Sequence, residues 1–523
     1  YNTLDKPFTS TDEDQLSIIL QAVSQSERNG IATPPHIIAL QEQRRFSFTD
    51  STAQRFADEL NTLGGVTSYE VFASGFGDDL LMYVYDSAVV DLIGTQLIFS
   101  EGPRPTVRAQ FRPVGYDVSP ETDLYLYNSH LKAGSTFSDV LDRDDEATAV
   151  RANADALGQG ANAIYLGDFN FQEDSEPGYQ AYIAAGPGQA LDPIALASWP
   201  NSGVAEHLTQ STRTASLADG GAAGGLDDRF DFQLVTGELL DGEGLSYIGP
   251  TAAGMSATEH SYDAFGNDGV SFNTRINNTS LGRSQPLAVL NALHNFSDHL
   301  PVIADYQVPA VLGVELGEAP GTLTVGEAFT LSVTVTNDAS VVAAIGADEL
   351  DYTISTTGDF ANAGTTVGSE LALSAGTTYG VVFDTSVAGL MSGTIEIDAG
   401  ASPGAANALV SIPISFEVVA AQLLAGDYNG DGLVNGADYA LFRNTLGTPA
   451  ADAFAPGSRD PSVQAANVVA ADLAAVLANF TGGAADAGAV AAPAPGSALL
   501  LIIGATVNAA ARRRTAAGGA HPR

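Results

Sequence analysis

The sequence contains no cysteine in 523 residues. Disulfide bonds, thiolate zinc sites and a cysteine nucleophile are therefore excluded, whereas the cellular compartment stays open. Positive charge is also scarce, since 21 Lys+Arg stand against 62 Asp+Glu and give a net charge of −41. This net negative charge disfavours non-specific adhesion to DNA or anionic lipid, because phosphate binding depends largely on positive charge. We interpret the acidity mainly as an aid to solubility in a salty or calcium-containing medium.

The length and the uneven distribution of basic residues predict several domains. A chain of 523 residues exceeds what a single core usually supports. Lys and Arg are absent from residues 311–441, while the first 310 residues hold most of them. Residues 1–307 alternate short apolar runs (37–40, 80–85, 124–127, 163–166 and 230–235) with helix-like stretches at 52–63 and 144–157. This alternation of strand-like and helix-like segments predicts an α/β domain.

The next segment, 312–419, changes to a period of two residues. Phe329, Leu331, Val333 and Val335 alternate with polar residues in "AFTLSVTVTND". Similar runs separated by Gly, Asn, Asp and Ser clusters favour an all-β, immunoglobulin-like sandwich. It contains no histidine, and we interpret it as a spacer or binding module.

A third segment, 422–482, contains the loop "DYNGDGLVNGAD" at 427–438. A Ca²⁺ ion prefers a cage of oxygen ligands, and acidic or amide residues at alternate loop positions with glycine at position six supply one. The predicted ligands are Asp427, Asn429, Asp431, the Leu433 carbonyl, Asn435 and Asp438. An ordinary Asp/Asn/Gly turn is the weaker alternative.

The helix after this loop resembles one half of a dockerin, so the segment is expected to be a small α-helical calcium module. A second half, "VVAADLAAVLANFTG", aligns with the first when Asp472 is set against Asp438. In that register Pro461, Val463 and Ala465 replace the acidic ligands. We therefore predict one Ca²⁺ site, with a cohesin-like or cell-surface partner as an open expectation.

The tail at 483–523 joins a proline pair, an apolar run and three arginines, Arg512 to Arg514. A membrane span needs about 20 apolar residues, and residues 497–511 fall short of that length. The order of features resembles a PEP-CTERM sorting signal, with Pro-Ala-Pro in place of Pro-Glu-Pro. The alternative is a frayed alanine-rich tail. The resemblance implies a bacterial, secreted or cell-surface protein.

In residues 1–307, polar groups abut the ends of apolar runs, in a fixed order along the chain. They are Asn2, Glu42, His130, Asp168 and Asn170, Asp231, and Asp298 with His299. Each group alone is weak evidence for a site, since Asp and Asn near glycine usually form turns. Together they predict one site at the rim of the sheets, where ligands tend to gather.

This order resembles the endonuclease/exonuclease/phosphatase superfamily over nearly all of residues 1–307. The resemblance implies a DNase-like four-layer α/β/β/α sandwich that cleaves phosphate esters with a divalent metal. The family's first strand normally ends in an asparagine such as Asn2, which implies a first strand truncated at Tyr1.

The resemblance also implies roles around the metal. Glu42 and Asp298 would hold Mg²⁺ or Mn²⁺, ions that prefer oxygen ligands. Asn2 would lie close to the metal, through a water or the phosphate. Asp168 would orient or deprotonate the attacking water.

Four further residues would act on the phosphate or on each other. Asn170, one strand period after Asp168, would donate its amide to a phosphate oxygen. His299 would contact the phosphate, and Asp231 would fix its tautomer. His130 would donate to the phosphate or the leaving oxygen.

Three functions remain open. The first is an extracellular nuclease acting on DNA or RNA, and the second is a hydrolase of a lipid or sugar phosphate. The third is a non-catalytic surface-binding module. Arg104, Arg108, Arg112 and Lys132 are candidates for a nucleic-acid path. Residues 1–310 carry 42 Asp+Glu and 15 Lys+Arg, a net charge of −27, so contact with a nucleic acid would be local and metal-assisted, with no stable complex.

Overall fold

The computed structural model describes residues 1–47, 50–75, 77–196, 198–199, 201–250, 259–420 and 423–481. Over these ranges the chain forms a mixed α/β part, then a part built almost entirely of strands, then a small helical part. The predicted sorting-signal-like tail at 483–523 lies outside the described residues. In the described part of the chain, no helix combines the length and apolar character needed to cross a membrane.

The α/β part contains five α-helices and thirteen strands among the described residues. The helices are α1 (Ser10–Gln25), α2 (Thr52–Gly64), α3 (Phe137–Asp155), α4 (Pro177–Ile183) and α5 (Leu287–Phe296), with 3-10 turns at Ser202–His207 and Gly237–Leu240. The strands are β1 (Ile37–Ser47), β2 (Asp50–Ser51), β3 (Tyr69–Ala73), β4 (Gly77–Asp86), β5 (Val90–Ile98), β6 (Thr106–Pro113), β7 (Leu124–His130), β8 (Asn162–Asp168), β9 (Asp231–Val235), β10 (Ser246–Tyr247), β11 (Asp263–Ala264), β12 (Val302–Ile303) and β13 (Tyr306–Gln307).

Helix α3 begins at Phe137, earlier than residue 144, where the apolar periodicity alone places its start. Thr136 caps the helix, because its hydroxyl accepts from the Asp139 N–H while the Asp139 carboxylate accepts from the Thr136 N–H. The apolar residues of the first turns, Phe137 and Leu141, are exposed, so the buried apolar face starts later than the helix does.

Two main sheets face each other in this part. One has the strand order β2-β1-β4-β3, and the other has the order β5-β6-β7-β8-β9, in which β7 and β8 are parallel. Alternate residues of β4 serve two different cores, as strand geometry requires. Tyr83 packs between the two sheets with Phe111 and Leu126, whereas Met82 packs on the outer side with Phe56 of α2.

The helices cover the outer faces of both sheets. Helices α1, α2 and α5 share a core with one face of the first sheet, and α3 and α4 share a core with β7, β8 and β9. The mixed α/β organisation is thereby confirmed, and its layers run helix, sheet, sheet, helix. A cavity of about 400 Å³, lined mainly by apolar side chains, opens beside Tyr1 between β1 and residues 301–308.

The second part consists of two sheets packed on one apolar core. Its strands are β14 (Leu312–Leu316), β15 (Leu323–Thr324), β16 (Thr330–Asn337), β17 (Leu350–Gly358), β18 (Thr365–Glu370), β19 (Thr377–Val382), β20 (Gly389–Asp398) and β21 (Leu409–Val419), with a 3-10 turn at Ala344–Gly346. The sheet orders are β14-β16-β19 and β15-β21-β20-β17-β18. Leu331, Val333 and Val335 of β16 point into the shared core, in keeping with the two-residue period.

In the third part, the described residues 423–481 form three short helices around a small core. They are α6 (Gly436–Thr445), α7 (Ala450–Ala453) and α8 (Asp472–Asn479). Tyr428 and Phe454 stack in this core with ring centroids 3.7 Å apart. The predicted domain boundaries and the immunoglobulin-like and dockerin-like assignments stay predictions.

Candidate active site

The polar residues predicted at strand ends collect at one rim of the two sheets. His130 ends β7 and Asp168 ends β8, and the parallel register sets these two residues side by side. Asp231 opens β9 directly opposite Asp168 in the antiparallel pairing. A bridge between Asn2 and Gln41 brings the start of the chain to the same rim. Strand register, rather than any one loop, therefore assembles the site.

Asn2 links the two central carboxylates. Its buried amide nitrogen donates to Oε1 of Glu42 at 2.9 Å and to Oδ2 of Asp168 at 3.0 Å. Glu42 has a positive φ of 54° and sits where the register of β1 shifts between Leu40 and Gln43. An irregularity of this kind redirects a side chain out of the regular strand alternation. It explains how a residue within the strand reaches the rim.

His130 lies between the carboxylates and a residue that the sequence did not single out. Its Nε2 is 3.6 Å from Oε1 of Glu42 and 3.6 Å from Oδ2 of Asp168. Its Nδ1 is 3.0 Å from Oδ1 of Asp79, at the start of β4. A guanidinium nitrogen of Arg104 lies 3.4 Å from Oδ2 of Asp79. The imidazole is thus oriented by a carboxylate on one side and faces the site on the other.

His299 forms a second imidazole–carboxylate pair on the other side of Asp168. Its Nδ1 lies 2.7 Å from Oδ2 of Asp231, and its Nε2 is 3.6 Å from Oδ2 of Asp168. The Gln210 amide nitrogen approaches the same Nε2 at 2.6 Å. The side chains of His299 and Asp231 are 3% and 5% exposed, so water contributes little to the pair. A carboxylate in this position fixes the ring and raises its basicity.

Two predicted residues have their polar groups engaged elsewhere. Strand β8 ends at Asp168, and Asn170 has φ 53°, so the two are not related by a strand period. The Asn170 side-chain amide donates to the Leu131 carbonyl at 3.2 Å. Asp298 accepts from the Ala222 N–H at 2.7 Å and from the Gln210 amide at 3.2 Å. Its carboxylate therefore shares Gln210 with His299 and does not belong to the group of ligand atoms formed by Glu42, His130 and Asp168.

The local environment separates the proton affinities of these groups. Burial raises the pKa of the Asp168 carboxyl against the opposing pull of His299 and His130. Burial also acts to raise the pKa of Glu42, but His130 and the Asn2 amide outweigh it and lower that pKa. For His299, burial acts to lower the pKa, but the Asp231 and Asp168 carboxylates outweigh it and raise the pKa well above its usual range. Asp168 is thus suited to accept a proton and His299 to donate one.

One group of side chains at the rim fits a divalent metal. Ligand atoms of Glu42, His130 and Asp168 all lie within 4.8 Å of one another. Oδ1 of Asp231 is buried, and no described residue forms a hydrogen bond with it, which adds uncompensated negative charge near these ligand atoms. Carboxylate oxygens suit a hard cation such as Mg²⁺ or Mn²⁺. The residues present therefore fit such an ion bound at Glu42, with His130 and Asp168 close beside it.

The four basic residues proposed for a nucleic-acid path already have partners. Arg112 is buried against Asp123, and Arg108 donates to Asn153 at 2.9 Å. The Lys132 ammonium lies 2.7 Å from Asp139. Arg104 donates to the Leu131 carbonyl at 2.7 Å and lies near Asp79, so it is the one of the four that contacts the site.

The predicted calcium loop brings its acidic residues together. Carboxylate oxygens of Asp427, Asp431 and Asp438 lie within 4.8 Å of one another, and Asp427 and Asp438 are fully buried. Asp427 accepts from the N–H groups of Gly430, Asp431 and Gly432, which folds the loop around it. Asn429 donates to Asp431, and Asn435 caps helix α6 by accepting from the Ala437 N–H. The Leu433 N–H donates to Asp431.

Two side chains of the site, Asp79 and Gln210, were not predicted from the sequence. Asp79 follows another aspartate just before an apolar run, and that placement was a usable signal. Gln210 lies in a stretch with no strand pattern, and backbone pairing with His299 and Asp228 brings it to the rim. No local pattern marks Gln210.

Comparison with solved structures finds many distant likenesses, 92 chains in all. No family model and no curated protein matches the chain. A truncated TDP2 from Caenorhabditis elegans is 19% identical with a TM-score of 0.30, over 46% of this chain and 81% of that one. The human Nocturnin catalytic domain is 12% identical with a TM-score of 0.30, over 52% and 81%. An endonuclease/exonuclease/phosphatase family protein from Bacteroides thetaiotaomicron is 16% identical with a TM-score of 0.32, over 58% and 92%. Likenesses with TM-scores this low do not assign a function to the chain.

Proposed function

We propose that residues 1–307 form a metal-dependent phosphoric ester hydrolase of the endonuclease/exonuclease/phosphatase type. The observation that supports this most is the surroundings of Asp168. Asn2, His130 and His299 all approach Oδ2 of this buried carboxylate, at 3.0 to 3.6 Å. Hydrolysis of a phosphate ester needs a proton acceptor for water, donors for the phosphoryl oxygens and a protonated leaving group. The rim contains a candidate residue for each of these three roles.

Glu42 is the proposed anchor of the metal, with Asn2 beside it. A Mg²⁺ or Mn²⁺ ion bound there would supply positive charge to the phosphoryl oxygens and lower the pKa of a water. Asp298 stays a proposed ligand, and its present contacts are the Ala222 N–H and Gln210.

The chain's own residues divide the proton transfers between the two sides of the site. Asp168 accepts the proton of the attacking water, since burial raises the proton affinity of its carboxyl. His299, fixed by Asp231, donates to a phosphoryl oxygen through Nε2. His130, fixed by Asp79, donates to the phosphate or the leaving oxygen through Nε2. Asn170 would add the second N–H of its amide.

Nucleic acid is the first proposed substrate class, on the resemblance of the motifs and on Arg104 beside the His130 pair. Full-length protein with Mg²⁺ or Mn²⁺ should nick plasmid DNA or cleave RNA, and EDTA should stop the reaction. Asp168→Ala should abolish cleavage, whereas Glu173→Ala, an exposed acid near the same strand end, should not. Cleavage by Asp168→Ala at the wild-type rate would contradict the proposed site.

A small phosphate ester is the second proposed substrate class, and the basic residues favour it. Arg108, Arg112 and Lys132 are held by neighbouring side chains, so they offer little to a long polyanion. Turnover of sphingomyelin or inositol phosphates without cleavage of DNA or RNA would select this class. Absence of any metal-dependent esterase activity would select the non-catalytic surface-binding module.

The remaining parts are proposed to act outside the cell or at its surface. The two packed sheets of 312–419 would form an immunoglobulin-like spacer, and 422–482 a dockerin-like module with one Ca²⁺ and a cohesin-like or cell-surface partner. The tail at 483–523 would direct sorting at the bacterial surface. Full-length protein in host membranes together with a shorter released form would support the sorting role, and a single unprocessed form would contradict it.

A further inference from the structure

The helical part contains two loops of related geometry. In the first loop, the Asn435 N–H donates to Oδ2 of Asp438 at 2.9 Å. In the second, the Val469 N–H donates to Oδ2 of Asp472 at 2.8 Å. Both carboxylates are fully buried and both lie in the first turn of a helix, α6 and α8 respectively. Asp472 therefore occupies in the second loop the place that Asp438 occupies in the first.

A guanidinium group fills the second loop. Nε of Arg459 donates to Oδ1 of Asp472 at 2.6 Å, and one terminal nitrogen donates to Oδ2 at 2.8 Å. That terminal nitrogen also donates to the Asn467 carbonyl at 2.9 Å, and the other donates to the Ala465 carbonyl. The paired contacts on Asp472 are the two-pronged geometry in which arginine binds a carboxylate most strongly.

The acceptors of Arg459 coincide with the ligand positions of a calcium loop. Aligned on the two buried aspartates, Ala465 corresponds to Asp431, and Asn467 corresponds to Leu433, whose carbonyl is a predicted ligand. The guanidinium thus meets oxygens at the fifth, seventh and twelfth loop positions.

The segment that carries Arg459 is fixed to the first loop. The Gly426 N–H donates to the Ser458 carbonyl at 2.8 Å, and Ser458 is fully buried. The Tyr428 hydroxyl donates to the Asp472 carbonyl at 2.5 Å. The side chain of Arg459 is 18% exposed, so it is held inside the loop and is largely removed from solvent. These contacts hold the guanidinium inside the second loop.

We infer that the Arg459 guanidinium is the resident cation of the second loop and takes the place of a divalent ion there. The buried carboxylate of Asp472 needs a positive partner, because an isolated buried charge is costly. Arg459 supplies that charge from within the chain, so the second loop folds without metal and is closed to it. This role of Arg459 is independent of the proposed hydrolase, whose site residues all lie within residues 1–307.

Metal positions provide the first test. Crystals of the full chain grown with Tb³⁺ should show an anomalous peak among Asp427, Asp431 and Asp438. No peak should appear among Asp472 and the carbonyls of Ala465 and Asn467. A peak there, with Arg459 displaced, would overturn the inference. A peak at the catalytic rim would lie among different residues and is counted separately.

Hydrogen exchange of the full chain provides the second test, with EDTA present throughout. Arg459→Ala should speed amide exchange in residues 463–472 by about tenfold or more, because Asp472 loses its partner. Arg459→Lys keeps the positive charge but loses the paired contacts, so its exchange rates should lie between those of wild type and Arg459→Ala. Arg443→Ala, which removes an exposed arginine of α6, is the matched control and should leave these amides unchanged. Equal exchange in wild type and Arg459→Ala would refute the role of the guanidinium.

Discussion

The pairing of Asp231 with His299 gives a direct prediction about turnover. In Asp231→Asn the carboxylate that faces Nδ1 at 2.7 Å becomes a neutral amide of nearly the same shape. The amide can donate to Nδ1 and place the ring proton on Nε2, and it no longer favours the charged imidazole. The expected loss is about 10²- to 10⁴-fold in kcat, the usual contribution of one acid–base group.

A matched variant distinguishes this loss of kcat from a loss caused by lower stability. Asp192 is a carboxylate whose side chain is only 6% exposed, 2.6 Å from the buried guanidinium of Arg229, and it accepts from Arg229 and from the Ile194 N–H. Removing one partner of such a pair costs roughly 3–5 kcal/mol of unfolding free energy. Asp192→Asn should therefore lower Tm while turnover per folded molecule stays near wild type.

The assay is release of p-nitrophenol from bis-p-nitrophenyl phosphate with Mn²⁺, alongside thermal unfolding of each variant. Asp231→Asn at half the wild-type kcat or more would refute the imidazole–carboxylate assignment. An equal loss of turnover in both variants would show that the effect arises from the fold.

Two further predictions concern the other parts of the chain. Burial raises the pKa of Asp348 to about 7 from an ordinary value of 3.8, although the carboxylate accepts from the Gly244 N–H at 2.9 Å. The folded state then binds the proton more tightly, so stability falls as pH rises from about 4 to about 7, by up to about 4 kcal/mol. Asp348→Asn should flatten this pH dependence in urea unfolding, and an unchanged slope would contradict the assignment. For the calcium loop, Asp427→Asn with Asp431→Asn should abolish a Ca²⁺-dependent rise in the Tm of the helical part. A persistent rise would place the ion elsewhere.

Part of the rim was predictable because several of its residues stand at the ends of apolar runs. His130, Asp168 and Asp231 mark strand ends in the sequence, and strand register then brings them together. The two-residue period of β16 likewise predicted a strand with one buried face.

Other features depend on contacts between distant segments, which local patterns do not record. Gln210 reaches His299 only through backbone pairing of a loop. Asn170 lies beyond the end of β8, where the positive φ turns its amide toward the Leu131 carbonyl. The same limit applies to Arg112, whose partner Asp123 lies across a hairpin.

The most direct test of the central claim is the turnover of a phosphodiester by metal-free protein to which Mg²⁺ or Mn²⁺ is returned. Wild type should be inactive after chelation and should recover with the metal, whereas Asp168→Asn should stay at least about 10²-fold slower at every metal concentration. Full activity of chelated wild type, or wild-type turnover by Asp168→Asn, would contradict a metal-dependent hydrolase centred on Asp168.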